Sequence, residues 1–252
     1  MPRPLASLDA HAHLDAASGS DFSPAGFVLS QTMSLTGAVL ALERQDSKVC
    51  WGVGCHPRSA PAISAFSAGE FRRLIDKTPL VGEVGLDTGS RTPRAAQLSV
   101  FRAVLEAVAE LPRIVSIHGF RATTEVLDEL EGRPIVAPVL HWWTGRADET
   151  RRAVSLGCYF SIHSAVARRS IFASHVPLER VLIESDQGAL DPPAAIPLRV
   201  SWVEHLVAQR YRTEPERIRA VAWQNLARLA ELTETAELFP TAFTAHLTMS
   251  GL

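Results

Sequence analysis

Cysteine is scarce in this chain of 252 residues: Cys50, Cys55 and Cys158 are the only three. Their number is odd and no pair has CxxC spacing, which argues against a disulfide scaffold and makes a reducing compartment the expectation. Long apolar runs are missing as well. No segment approaches the roughly 20 residues that span a bilayer, and the opening MPRPLASLDAHAHLD holds no apolar stretch of signal-peptide length. The expectation is a cytoplasmic protein with no membrane contact. Nor is there a surplus of positive charge. Lys and Arg number 25 against 27 Asp and Glu, a formal net charge of -2. A surface that coats duplex DNA shows a clear basic excess, so that class is disfavoured, while a local basic pocket for a phosphate is not. Linkers, low-complexity stretches and shifts in composition are absent too. One domain over residues 1–252 is expected.

What is present is alternation. Hydrophobic residues make up 46% and charged ones 21%, ordinary values for a globular protein. Short apolar runs alternate with longer amphipathic segments, the sequence form of βα repetition. Eight strands are expected, at 5–10, 27–32, 48–54, 80–83, 114–117, 135–140, 158–162 and 181–184. A length near 250 residues suits an α/β, TIM-type (β/α)8 barrel. From Pro93 to Leu111 the residues Leu98, Phe101, Leu105 and Val108 fall on one stripe that Pro112 ends. A helix over 147–156 would close at Gly157. Two more are expected over 196–210 and 215–232, with Thr213-Glu214-Pro215 as cap and first turn. One repeat is defective. Between the first two strands lies only LDAASGSDFSPAG (14–26), which has no helical stripe and is too short for a loop, a helix and a loop. The first outer helix is expected to be missing or reduced, leaving apolar strand surface to be covered by something else. Residues 238–252 are weakly patterned and are expected to drape over the barrel.

Five polar motifs sit at the ends of the apolar runs: His11-Ala12-His13, Glu83, His118, His141 and Asp186. A barrel of parallel strands brings all strand C-termini to one face, and imidazoles and carboxylates are ligands for divalent ions. The repeated placement points to a metal-dependent hydrolase. His11 and His13, two apart on a strand, point to one side, and Asp9 shares that side. Glu83, in GEVGLD, has two oxygens that can reach separate ions, and Asp87 follows as a supporting or turn residue. His118 and His141 each read alone as satisfied core histidines; at equivalent points of successive repeats they read as ligands. Glu184 and Asp186 are two apart, so spacing leaves both open, with Asp186 nearer the strand end. His56, held by Pro57, and Arg121 are candidates to contact a phosphate, as, more weakly, is Arg91. Trp142, and Trp143 beside it, offer a flat face for a base or ordinary packing. Cys55, Cys158, His163, His175, His205 and His246 read as structural.

Taken together, DAHAHLD (9–15), GCHP (54–57), GEVGLD (82–87), SIHGFRA (116–122), LHWWTG (140–145) and IESD (183–186) resemble the TatD family of metal-dependent deoxyribonucleases, over Asp9 to about Leu229. The resemblance implies an amidohydrolase-like barrel whose divalent ions are held by His11, His13, Glu83, His118, His141 and Asp186. Three features depart from the family pattern: Gln187-Gly188 stands where Ser-Pro is usual, Trp142-Trp143-Thr144 replaces Cys-Phe-Ser, and the first outer helix is absent. The HWWTG wording and the compact length resemble the TatD-like component of Qat-type anti-phage defence systems.

Residues and resemblance converge on phosphodiester hydrolysis with two divalent ions (Mg, Mn or Zn). Glu83 would lie between the ions, with His11 and His13 on one and His118 and His141 on the other. Asp186 would orient water and take its proton, and His56 and Arg121 would seat the phosphate. A near-neutral surface suits a single-stranded, end-bound or nucleotide-sized substrate. Two other readings stay open. The same barrel could cleave an amide, ester or lactone, or the chain could serve chiefly to bind a protein partner on the flank that lacks its helix.

Overall fold

A computed structural model describes residues 5–18, 22, 24–167, 175–188 and 196–251, with the side chains of 196–198 set aside. Eight strands run parallel in chain order. β1 (Leu8–Ala12), β2 (Phe27–Gln31) and β3 (Val49–Gly52) form one ladder; β4 (Leu80–Asp87), β5 (Ile114–Phe120), β6 (Pro138–Leu140), β7 (Tyr159–Ile162) and β8 (Val181–Ile183) form another. Backbone hydrogen bonds join the ladders at both edges. Val53 N–H donates to Leu80 O at 3.2 Å and Gly82 N–H to Val53 O at 3.0 Å on one side. On the other, Asp186 N–H reaches His11 O at 3.0 Å and His13 N–H reaches Gln187 O at 2.7 Å. The result is the α/β barrel expected from the repeat.

The strands are buried on both faces, as parallel strands under a helical layer must be. Outside them lie α1 (Leu35–Leu42), α2 (Ala60–Ser64), α3 (Ala68–Ile75), α4 (Arg94–Glu110), α5 (Thr123–Gly132), α6 (Ala147–Ser155), α7 (Ser164–Ala167), α8 (Ile196–Tyr211) and α9 (Pro215–Leu232). Helix α4 follows the stripe that its sequence carries, burying Phe101, Leu105 and Val108, although Leu98 stays half-buried. Helix α6 ends before Gly157, whose φ of 81° is the left-handed C-terminal turn. The start of α9 differs slightly from expectation: Glu214 is the cap residue and makes no side-chain cap bond, with Pro215 opening the helix.

Strand boundaries differ where the polar motifs lie and at the start of β6, which opens at Pro138 rather than Ile135. β1 begins at Leu8 rather than Leu5 and runs through His11, β4 extends past Glu83 to Asp87, and β5 takes in His118. A polar side chain does not end a ladder whose hydrogen bonds are all main-chain. The register shifts between Asp9 and Ala12 and between Val81 and Val84, and such irregularities re-aim a side chain. Here the re-aimed residues include His11 and Glu83.

Among the described residues there is no helix between β1 and β2. Two other elements cover that flank. Phe22 packs on Trp51, with ring centres 5.9 Å apart, and the Arg44 guanidinium lies over both rings. The buried Asp46 carboxylate ties this cover down by accepting from Phe22 N–H (2.9 Å), Arg44 Nε (2.6 Å) and Trp51 Nε1 (3.0 Å). The chain end, rather than draping loosely, forms α10 (Thr241–Ser250). Its buried Phe243 lies 4.7 Å from Phe27 and 6.1 Å from Trp223, and the tilted His246 ring packs on the same two rings.

Burial works against the Asp46 charge, but Arg44 and the N–H donors outweigh it and hold the carboxyl below its usual range. Its contribution to stability is therefore full above the ordinary carboxylate range and fades as pH falls through the lower native value. Asp46→Asn is expected to cost about 2 kcal/mol, read as a melting temperature about 5 °C lower at pH 7, with the gap closing toward pH 3. The three thiols are buried, and burial pushes each up to about 12. They are expected to resist a thiol reagent at pH 8 until denaturant is added.

Candidate active site

At the C-terminal mouth of the barrel six functional side chains surround one carboxylate. Glu83 is 1% exposed. Glycines let the chain close on it. A Cβ at Gly54 would stand 2.5 Å from Glu83 N and 1.9 Å from Thr32 O, so only glycine fits. Oε2 of Glu83 faces His13 Nε2 at 3.1 Å, His56 Nε2 at 3.3 Å and His11 Nε2 at 3.4 Å. Oε1 faces His118 Nδ1 at 2.5 Å and His141 Nε2 at 3.8 Å. Asp186 Oδ1 closes the ring, 3.7 Å from His11 and His13 and 3.9 Å from His141.

The rings are held from behind. His11 Nδ1 pairs with Ser116 Oγ at 2.7 Å, His13 Nδ1 with Gln31 O at 3.0 Å, and His141 Nδ1 with Glu184 Oε2 at 2.8 Å. In all three rings the other nitrogen, Nε2, is turned to the centre. This orientation by an outer partner is the usual support of a metal-ligating imidazole. His118 differs: both its nitrogens meet carboxylates, Nδ1 that of Glu83 and Nε2 that of Asp87 at 3.0 Å.

Charge follows from this crowding. Burial opposes ionisation of Glu83, but the imidazoles of His56, His141, His11 and His118 overcome it and hold the carboxyl well below its ordinary range. Burial also disfavours a charged His141, yet the carboxylates of Glu184, Glu83 and Asp186 lift it to about 10. His11, buried and beside His141, falls to about 3. Burial raises Asp186 to about 6, with His141 opposing.

The donor set fits a divalent ion. His11 Nε2, His13 Nε2 and Glu83 Oε2 form a triangle with sides of 3.3, 3.4 and 3.1 Å. Ligands held about 2.0–2.1 Å from one ion in a tetrahedron are about 3.3 Å apart. Two further groups have donor atoms within 4.8 Å of one another: His11, His141 and Glu184, and His56, Glu83 and His118. Every residue expected as a ligand from the sequence is thus at the mouth. The groupings differ from the expected pairing, because the His141 ring lies parallel to that of His11 at 3.6 Å, and His118 lies nearer His56, with centres 4.8 Å apart.

The rim is less uniform. His56 is buried and its Nδ1 accepts from Arg58 N–H at 3.1 Å. Arg121 is exposed with its guanidinium over Phe120, and Arg91 is exposed. Trp142 stacks on His163, with centres 3.8 Å apart, whereas Trp143 is buried and bonds Thr150 through Nε1. His163, expected to be structural, is therefore part of the rim. Four contributors escaped sequence reasoning. Ser116, Glu184 as a support for His141, and Ser185 carry no spacing signal of their own. Arg58, whose Nε lies 3.7 Å from Asp87, could have been found from its place directly after His56-Pro57.

Comparison with known proteins identifies the family. A family model described as TatD related DNase matches residues 8–231. The chain belongs to the TatD-related DNase family. It is 31% identical over 202 residues to a 3'-5' ssDNA/RNA exonuclease TatD of Cronobacter sakazakii, covering 71% of this chain and 76% of that one. It is 26% identical over 211 residues to an uncharacterized metal-dependent hydrolase, YabD, of Bacillus subtilis, covering 78% and 82%. The fold matches a TatD homologue of Escherichia coli, YjjV, with a TM-score of 0.73 at 17% identity, covering 88% and 97% of the two chains. The chain is thus a metal-dependent hydrolase of TatD type. No helix among the described residues is long and apolar enough to cross a membrane.

Glu184 is expected to matter for metal retention through its hold on the His141 ring. Glu184→Gln is expected to weaken Mn²⁺ or Zn²⁺ binding about 10- to 100-fold, measured by titration calorimetry. An unchanged affinity would show that His141 keeps its orientation without that carboxylate.

Proposed function

We propose that the chain hydrolyses phosphodiester bonds of single-stranded nucleic acid, working from an end. The observation that carries this reading is the two-sided Glu83, with one oxygen toward His11 and His13 and the other toward His118 and His141. Two divalent ions, Mg, Mn or Zn, would be held here, one by His11 and His13 with Asp186 on one side of Glu83 and the other by His118 on the other side, with His141 beside His11. Ions so held supply Lewis acidity, which lowers the pKa of water and offsets charge on phosphoryl oxygens. Relatives at about 31% identity that bear the name 3'-5' ssDNA/RNA exonuclease support the substrate class.

The residues divide the work. Asp186 orients the attacking water and accepts its proton at a carboxylate, a role that a pKa of about 6 suits at neutral pH. Glu83 stays ionised and fixes the spacing between the two halves of the site. His56 contacts the phosphate from the β3 side. Arg121, next to β5, offers its guanidinium to a neighbouring phosphate. Trp142, already stacked on His163, gives a base its face on the β6–β7 side. The cationic and aromatic parts of the rim thus stand at different strand ends, as a strand with phosphates on one side and bases on the other requires. A role in anti-phage defence rests on the HWWTG wording alone, since Phe22, Arg44 and α10 cover the first flank.

The test is cleavage of single-stranded DNA with added Mn²⁺, in the parent protein and in Glu83→Ala, beside a generic ester. Metal-dependent DNA cleavage that falls at least about 1,000-fold in the variant is expected. Ester hydrolysis without DNA cleavage would replace the reading by a carboxyl-ester hydrolase. A partner complex that survives Glu83→Ala with full biological effect would replace it by a binding subunit.

A further inference from the structure

Asp9 is wholly buried and does not face the metal centre, yet it holds two pieces of backbone that do. Its Oδ1 accepts from His11 N–H at 3.2 Å and from Ser185 N–H at 3.0 Å. Its Oδ2 accepts from the Ser185 hydroxyl at 2.5 Å. Ser185 Oγ in turn accepts from Gln187 N–H at 3.1 Å. The bonds from Asp186 N–H to His11 O and from His13 N–H to Gln187 O complete the seam. At its centre stands Asp186 with φ of 47°, a left-handed conformation that a residue with a side chain leaves when its neighbours allow.

We propose that Asp9 is a positioning residue that, through Ser185, locks the 185–187 turn in the conformation that aims Asp186 at the site. The inference rests on the phosphodiesterase reading for its kinetic consequence and on the seam geometry for its structural one. Ser185 makes both halves of the clamp: its N–H and hydroxyl donate to Asp9, and its oxygen receives Gln187 N–H. Released at that point, the turn relaxes toward ordinary φ and carries the Asp186 carboxylate away from His11, His13 and His141. The His11 ring is less affected, because Ser116 holds it separately.

The test compares Asp9→Asn, Ser185→Ala and Ser185→Thr with the parent, beside Asp186→Asn. Ser185→Ala is the milder lesion should the buried Asn disturb folding. On single-stranded DNA, Asp9→Asn and Ser185→Ala are expected to lower kcat about 10- to 100-fold, with KM within about twofold and metal content no lower than that of Asp186→Asn. Ser185→Thr, which keeps the hydroxyl, is expected to recover most of kcat. Independently of activity, the visible absorption of the Co²⁺-loaded protein is expected to shift in Ser185→Ala in the same direction as in Asp186→Asn, and not in Ser185→Thr. Unchanged kcat and an unchanged spectrum in both lesions would overturn the clamp. Metal loss greater than that in Asp186→Asn would also overturn it, placing the role of Asp9 at His11 instead. A parent protein that leaves DNA intact while the spectral pattern holds would retain the clamp and refute the phosphodiesterase reading.

Discussion

A carboxylate inside a barrel is tolerated only in compensating surroundings, and Glu83 imposes that requirement on every strand end around it. The cost of removing an isolated carboxylate from water is several kcal/mol. Imidazoles from β1 and β5, and from the segments that follow β1, β3 and β6, converge on its two oxygens. Backbone must come equally close, which excludes a Cβ at position 54 and places Gly82 and Gly85 at φ values of 152° and 138°. The same negative charge, with that of Glu184, is what lifts His141 against its burial.

Aiming those groups consumes local backbone freedom, and each strained position has an anchor. Arg121, Trp142 and Asp186 all adopt left-handed backbone, with φ of 51°, 43° and 47°, at about 1–2 kcal/mol each for Arg121 and Trp142 and less for Asp186. Thr88 Oγ1 donates to Arg121 O, Trp142 N–H donates to Glu184, and the Asp9–Ser185 pair flanks Asp186. Strain that persists at a site is strain that surrounding bonds over-determine. Glu184 illustrates the economy of the arrangement, since one buried carboxylate orients the His141 ring with one oxygen and fixes the next residue's backbone with the other.

Sequence reasoning reached the parts of this design that repeat. Eight apolar runs became eight strands in order, and the histidines and acids at their ends met at one mouth, because both signals are periodic in the chain. The supporting layer was not legible in the same way. Ser116 and Ser185 look like any polar residue on a strand, and their partners lie 105 and 176 positions away. Strand ends were misplaced at His11, Glu83 and His118, since hydropathy marks where apolar side chains stop and not where main-chain pairing stops. Spacing left the choice between Glu184 and Asp186 open. Their difference comes from depth alone: Glu184 is fully buried against His141, while Asp186 reaches the mouth.

The first flank, where no helix lies among the described residues, shows what the outer layer of such a barrel has to do. A helix between β1 and β2 normally covers apolar strand surface, but coverage does not demand a helix. On this flank one aromatic ring, Phe22, is pinned by its own N–H to Asp46, and Arg44 lies over the Phe22 and Trp51 rings. A cation over aromatic faces presents its apolar side inward and its charge to water, which a short polar crossover can reach where a helical stripe cannot. Helix α10 supplies the rest through Phe243 and His246 on Phe27. Phe27 opens β2, at the end of the barrel opposite His11, His13 and Gln31. Helix α10 therefore shields the flank without entering the mouth.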